Sequence, residues 1–254
     1  MRFDDFDKKM RVYEESLNQF VLPDMYIVAR LDGRGFTRMT KKRFEKPFDI
    51  RFREMMLQVT KELIENSGFK IIYGYTQSDE ISLLFDPYEN SFGRKVRKIN
   101  STLAGIASAK ASMILGELVT FDCRVVPLPN MDRVKDYFLW RQADSHRNAL
   151  NGWCYWILRK EGKSRREATA ILSGKGDAFK NELLFERGIN YNDVPAWQKR
   201  GVGFCYDTVY KTGVDPRTGE TKKVRRNALI YQEVLPIGVN YAKCIENIIK
   251  KYSN

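Results

Sequence analysis

Met25-Tyr26-Ile27-Val28-Ala29-Arg30-Leu31-Asp32-Gly33-Arg34-Gly35-Phe36 is the stretch that decides the fold of this 254-residue chain. Its apolar first half predicts a buried strand over 25–31, which ends on a carboxylate beside glycine and arginine. Gln77-Ser78-Asp79-Glu80 is a second such stretch, set between strands predicted at 70–76 and 80–85; Asp86-Pro87 closes the latter. The segment 32–45, rich in Gly, Arg and Lys, predicts a loop. A helix is expected from Pro47, carried by Phe48, Phe52, Met55, Met56, Val59, Leu63 and Ile64 to Asn66, with Ser67-Gly68 as its stop.

A helix over about 94–116 follows, poor in large apolar residues and rich in small ones such as Ala104, Gly105, Ala107, Ser108 and Ala111. A strand over 119–126 is then stopped by Pro127 and Pro129. The order is strand-helix-strand-strand-helix-strand, which is the ferredoxin-like α+β unit. In that topology the first two strands run parallel. The end of the first and the turn after the second then share one edge, so Asp32 and Asp79 should meet.

The flanks are simpler. Phe3, Phe6, Met10, Tyr13, Leu17 and Phe20 have the spacing of an amphipathic helix over 3–20, ended by Leu22-Pro23. Beyond 135 the chain reads as helical to about 187, with breaks at Glu161-Gly162 and Ser173-Gly174. Residues 201–210 and 223–235 predict a hairpin around Asp215-Pro216-Arg217-Thr218-Gly219. We expect a catalytic unit over 1–135 and a helical and hairpin region over 136–254, packed on it as an added layer of one continuous unit.

Lys and Arg number 44 against 32 Asp and Glu, a net charge of +12, which favours a polyanionic partner and above all nucleic acid. Cys123, Cys154, Cys205 and Cys244 lie far apart and His146 is the only histidine, so zinc spacing is missing. The cysteines read as reduced thiols of a cytoplasmic protein. No signal core is seen at the N-terminus, and no run approaches the ~18 apolar residues that a membrane span needs.

Paired carboxylates at strand ends suit Mg²⁺, a hard cation that takes carboxylate and phosphate oxygens. Two such ions could hold both the attacking and the leaving oxygen of a phosphoryl transfer. Gly33 could offer its carbonyl to metal or its N–H to phosphate, and Arg34 a guanidinium fork. Glu80 starts the third strand and is either a supporting group behind Asp79 or an ordinary strand-edge charge. Lys46 and the group Arg94, Lys95, Arg97 and Lys98 stand at helix starts, where basic charge opposes the dipole and a phosphate partner explains it. The basic runs at 159–166 and 222–226 read as solvated faces. A lone helical histidine such as His146 reads as a structural or contact residue.

At these motifs the chain resembles the tRNA-His guanylyltransferase family. Ala29–Arg34 and Gln77–Glu80 look like its two metal motifs. Phe121–Val126, Asp136–Gln142, Lys180–Phe185 and Gly188–Asn192 look like its later blocks. The resemblance implies a polymerase-type palm that extends RNA in the 3′-to-5′ direction. Asp32, Asp79 and Glu80 would be catalytic, with Asp32, Gly33 and Asp79 holding two Mg²⁺ ions. Asp32, Gly33, Arg34, Gly35, Phe36 and Thr37, with Lys46, Ser78 and Asp79, would hold ATP, GTP or another NTP. Arg94, Lys95, Arg97 and Lys98 would meet triphosphate or the RNA 5′ end. His146, Asn148, Lys180 and Asn181 would touch tRNA, and the protein would be a homotetramer.

One block departs from the pattern. Members dedicated to tRNA-His carry His-Ile-Asn-Asn-Leu-Tyr-Asn where this chain reads His146-Arg147-Asn148-Ala149-Leu150-Asn151-Gly152. That is similar to the guanylyltransferase-like branch, which repairs 5′-truncated tRNA by templated addition. Repair is therefore the expected activity. G addition to tRNA-His is the alternative, and a palm-fold nucleotide cyclase or a non-catalytic tRNA-binding module are further ones.

Overall fold

A computed structural model describes residues 2–214, 217 and 221–253. Strands β1 (Tyr26–Arg34), β2 (Ile71–Gln77), β3 (Glu80–Phe85) and β4 (Thr120–Leu128) alternate with helices α2 (Phe36–Arg43), α3 (Ile50–Asn66) and α4 (Val96–Leu115), after an N-terminal α1 (Phe3–Glu15). Then come α5 (Met131–Lys160), α6 (Arg165–Leu172), α7 (Asp177–Phe185), α8 (Ala196–Arg200), β5 (Val202–Val214), β6 (Thr221–Gln232) and α9 (Gly238–Tyr252). The six strands form one sheet in the order β4-β1-β3-β2-β5-β6. β3 lies antiparallel between β1 and β2, so those two run parallel, as the ferredoxin-like reading requires.

Each sheet face has its own core. On one, Met56, Val59 and Leu63 of α3 and Leu103, Ala107 and Ala111 of α4 cover Leu31, Ile81 and Leu83. The small residues of α4 let it approach the sheet closely, and Ser108 Oγ accepts from the Phe121 N–H at 2.9 Å. On the other face, Phe138 of α5 and Tyr241, Ile245 and Ile249 of α9 pack on Val28, Ile72 and Leu84. A third cluster joins the C-terminal half of α5, through Leu150, Cys154 and Leu158, to Leu172 of α6 and Leu184 of α7.

Several expectations change. The segment 32–45 is not all loop. β1 runs on to Arg34, Gly35 turns the chain at φ +75°, and α2 follows because Phe36 and Thr40, four apart, face the core. α3 begins at Ile50, not Pro47, with Asp49 as its cap. α1 stops at Glu15 and buries none of its residues; Leu17 beyond it is 87 % exposed. Pro127 lies inside β4 opposite Ile27, which an edge strand tolerates because one side of its backbone needs no partner. The hairpin is no added layer: β5 pairs with β2 and extends the same sheet. Of its expected turn, 215, 216, 218 and 219 lie outside the described residues. Helix α9, absent from the sequence reading, supplies much of the second core.

Candidate active site

The β2–β3 turn is only two residues long. Gln77 pairs with Glu80, leaving Ser78 and Asp79 to reverse the chain. Ser78 sits at φ +53°, a left-handed backbone that costs a non-glycine residue about 1 kcal/mol or more. Asp32 of β1 lies directly across from Glu80. The next residue, Gly33, donates its N–H to the Asp79 carbonyl at 3.1 Å. A Cβ on Gly33 would stand 2.6 Å from the Phe36 ring and 3.0 Å from the Asp79 Cβ. Only glycine lets the two loops touch here.

Burial pushes the Asp79 carboxyl above its usual range, and the nearby carboxylates of Asp32 and Glu80 push the same way. The Ser78 hydroxyl, donating to Asp79 Oδ1 at 3.0 Å, opposes the rise. Excess negative charge held in a partly desolvated place is what a bound cation relieves. Among the described residues no three His, Cys, Asp or Glu side chains converge as a metal cluster. A cation here would therefore rest on two carboxylates, backbone and ligand oxygens, the pattern Mg²⁺ accepts.

Asp79 and Ser78 stand at one wall of a cleft of about 480 Å³. Its other walls come from α2, the 44–49 connection, α3, α5 and α8, and carry the rings of Phe44, Phe48, Phe52, Tyr155, Trp156 and Trp197. That volume and ring content suit a nucleoside. Lys46 donates to Thr40 Oγ1 at 2.7 Å and lies 5.9 Å from the Trp156 ring centroid. Burial lowers the Lys46 ammonium pKa, while Asp79 and Asp49 raise it. Asp49 caps α3, accepting from the Arg51 and Glu45 N–H groups, each at 2.8 Å. The Arg51 guanidinium, 2.6 Å from Asp49, is the main reason that carboxyl lies far below its usual range.

Glu80 points away from this cleft. Its carboxylate is held by Arg30 at 2.5 Å and by Arg141 of α5 at 2.9 Å. Arg30 also reaches Asp32 at 3.3 Å. Arg141 is 4 % exposed, pairs with Asp144 at 2.8 Å and stacks on Trp140 at 4.0 Å. Glu80 thus sits in an ionic network with Arg141 and with Arg30, the arginine that also reaches Asp32.

Thr37, Lys46, Ser78, Asp79 and Phe36 line the cleft. Arg34 and Gly35 do not; they face a second hollow on the far side of α2. The Arg94–Lys98 group is not brought to this edge. Arg94 is buried and donates to the Met25 carbonyl, at the start of β1, about 20 Å along the strand from Asp32. Lys95 and Lys98 lie over Phe20 and Phe92, and Arg97 bonds Asn18. His146 is half-buried against Tyr191, and burial lowers its pKa. Asn148 donates to Asp144, Asn181 to the Asp177 carbonyl, and Lys180 is buried. The sequence reading missed Arg141 and the aromatic wall. The four-residue spacing of Phe44, Phe48 and Phe52 was the available signal for the wall.

A family model described as tRNAHis guanylyltransferase matches residues 7–129, and a second, described as Thg1 C terminal domain, matches 132–233. The tRNA(His) guanylyltransferase of Debaryomyces hansenii is 37 % identical over 72 % of this chain and 74 % of its own length. This chain belongs to the tRNA-His guanylyltransferase family. Among solved structures of the family, a bacterial guanylyltransferase-like protein in complex with ATP superposes with a TM-score of 0.76 at 26 % identity, covering 96 % of this chain and 99 % of that one. The corresponding structure in complex with GTP gives 0.72 at 26 % identity, over 98 % and 100 %. The family's palm is thus the fold seen here. Among the described residues no helix is long and apolar enough to cross a membrane.

Proposed function

We propose that this chain adds a nucleotide to the 5′ end of tRNA, with Asp32 and Asp79 at the reacting phosphates and the aromatic cleft holding the nucleoside triphosphate. The observation that carries the reading is the meeting of Asp32, Gly33 and Asp79 on one sheet edge, where Asp79 stands at the wall of a nucleoside-sized cleft. Asp32, Asp79 and the Gly33 carbonyl would hold Mg²⁺. Bound there, it would lower the pKa of the attacking hydroxyl and neutralise charge on the leaving group.

The protein's own groups do the rest. The ring-lined wall takes the base, Lys46 faces the phosphates, and the Thr37 and Ser78 hydroxyls stand at the same cleft. Arg30 and Glu80 keep the Asp32 carboxylate in place. The 5′ phosphate of the RNA is joined to AMP from ATP, releasing pyrophosphate. The 3′-hydroxyl of an incoming nucleotide then forms the new P–O bond as AMP leaves. A 5′-triphosphate end loses pyrophosphate instead. The exposed apolar residues of α1 support assembly of several copies, as a homotetramer would need.

The names of the curated relatives favour G addition to tRNA-His as the substrate reading. Templated repair of 5′-truncated tRNA is a second reading, favoured by one feature of the 146–152 block. Ala149 there is 1 % exposed, a core residue that offers RNA nothing. The deciding assay supplies ATP, GTP and Mg²⁺ with either full-length tRNA-His or a tRNA lacking its first nucleotide. The products are sequenced at the 5′ end and kcat/KM compared. Preference for the first substrate establishes the guanylyltransferase reading, and preference for the second establishes repair. No addition to either would overturn the proposal.

A further inference from the structure

The hollow beyond α2 has a chemistry unlike that of the aromatic cleft. It measures about 340 Å³ and is bounded by Arg34, Arg38, Lys42, Arg43 and the 117–120 connection. Arg43 is already engaged, donating to Glu117 at 2.7 Å and to the Leu115 carbonyl at 3.0 Å. Arg34, Arg38 and Lys42 are exposed, and their side chains make no hydrogen bond or ion pair with any described residue. Arg38 and Lys42 are four residues apart on α2, so they rise about 6 Å along one helix face. Arg34 stands at the head of this row, two residues after Asp32.

No aromatic face is offered here. Phe36 is 2 % exposed, and its ring packs on Phe52 and Phe121. A base would find nothing to stack on. Three unpaired cations in a row, leading away from the carboxylate edge, instead match successive phosphates of a polynucleotide strand, whose charge they can neutralise.

We infer that Arg34, Arg38 and Lys42 form a track for the phosphate backbone of the RNA strand whose 5′ end is extended. The inference rests on the proposed function and adds the place where the polymer, as opposed to the nucleotide, is held. The two sides of α2 then divide the work: rings and Lys46 on one side for the nucleotide, free cations on the other for the strand.

The test measures binding of a 3′-labelled tRNA lacking its first nucleotide, without NTP, across a salt series. Wild type is compared with Arg38→Gln/Lys42→Gln and with Lys160→Gln/Lys163→Gln, which removes the same charge from exposed positions outside both clefts. The α2 pair should weaken binding tenfold or more, and its salt slope should fall by about two, at roughly 0.9 per phosphate contact. The control pair should move neither to that extent. GTP affinity without RNA should be unchanged in all three proteins. If the double variant does not fold, the single Lys42→Gln should show about half the slope change. Equal slopes for the α2 and control pairs would overturn the track, as would loss of GTP affinity with RNA binding intact. In either case nucleotide addition by the wild type would leave the proposed function standing. If the wild type neither binds nor extends tRNA, both fall together.

Discussion

The backbone N–H of Gly33 donates to the backbone carbonyl of Asp79 across 3.1 Å, joining the end of β1 to the β2–β3 turn. This bond spans 46 residues of sequence and fixes the separation of the two loops that carry Asp32 and Asp79. It forms because Gly33 has no side chain to meet Phe36 and the Asp79 Cβ. The spacing of the two carboxylates is therefore set by backbone, the least adjustable part of the site.

Gly33→Ala should damage both fold and activity. The added methyl must displace the Phe36 ring or open the turn, an overpacking cost of about 1–3 kcal/mol. Thermal denaturation should show the loss of stability. The kcat should fall further than that loss explains, because Asp79 moves; unchanged kcat would show that the loop contact is not needed for chemistry.

Asp79→Asn should separate stability from activity. Burial and like charge hold the Asp79 pKa above its ordinary value, so the native state binds its proton more tightly than the unfolded chain does. Its stabilising contribution is present at low pH and lost as pH rises through the folded pKa. At neutral pH the amide should therefore melt at the same temperature as wild type or higher. Nucleotide addition should fall on the order of 10³-fold, about 4 kcal/mol of transition-state stabilisation. Adding Mg²⁺ should raise the melting temperature of wild type and not that of the variant. A variant that retained a tenth of wild-type turnover would remove Asp79 from the catalytic role.

Arg141→Ala should act at a distance. It leaves Glu80 with Arg30 alone and strips Asp144 of a partner, at a cost on the order of 2 kcal/mol. If Arg141 positions Asp32 through Glu80 and Arg30, kcat should fall while KM for the nucleotide stays. Arg141→Lys should restore stability better than turnover, because one ammonium cannot serve both carboxylates with the same geometry. Equal recovery of both would mean a purely structural role.

Lys46→Met should raise KM for the nucleoside triphosphate and spare the fold. The side chain is half-buried at the cleft, with Thr40 as its hydrogen-bond partner, so methionine can fill its space. Steady-state kinetics should show the change mainly in KM. A fall in kcat with unchanged KM would move Lys46 from binding to chemistry.

Asp49→Ala should loosen the cleft wall in a pH-dependent way. The cap and the Arg51 pair hold the folded carboxyl below its unfolded value. That stabilisation is complete above the ordinary carboxylate range and is lost as pH falls below it. At neutral pH the variant should lose about 1 kcal/mol or more, and the gap to wild type should close in acid. Urea melts at several pH values measure it; a gap independent of pH would assign the effect to packing.

The order of strands and helices from β1 to β4 was legible in the chain, because buried strands leave continuous apolar runs and Ser67-Gly68 stops a helix by backbone preference alone. The meeting of Asp32 and Asp79 followed from that order, since the topology permits only one edge for both. Other features were not legible. α2 has one buried stripe, Phe36 and Thr40, beneath a basic face, and by composition it resembles a loop. Pro127 signals a strand end, and only its place on the sheet edge removes the penalty. Glu80, Arg30 and Arg141 are ordinary charges until the sheet and α5 bring residues 50 and 61 positions apart into contact. Arg34 and Lys46 look alike as basic residues near a carboxylate, yet α2 places them in different hollows. Local sequence determines which elements form, because backbone preference and hydrophobic period act over a few residues. Which charges share a cleft depends on the packing of elements distant in sequence, and only the tertiary structure decides it.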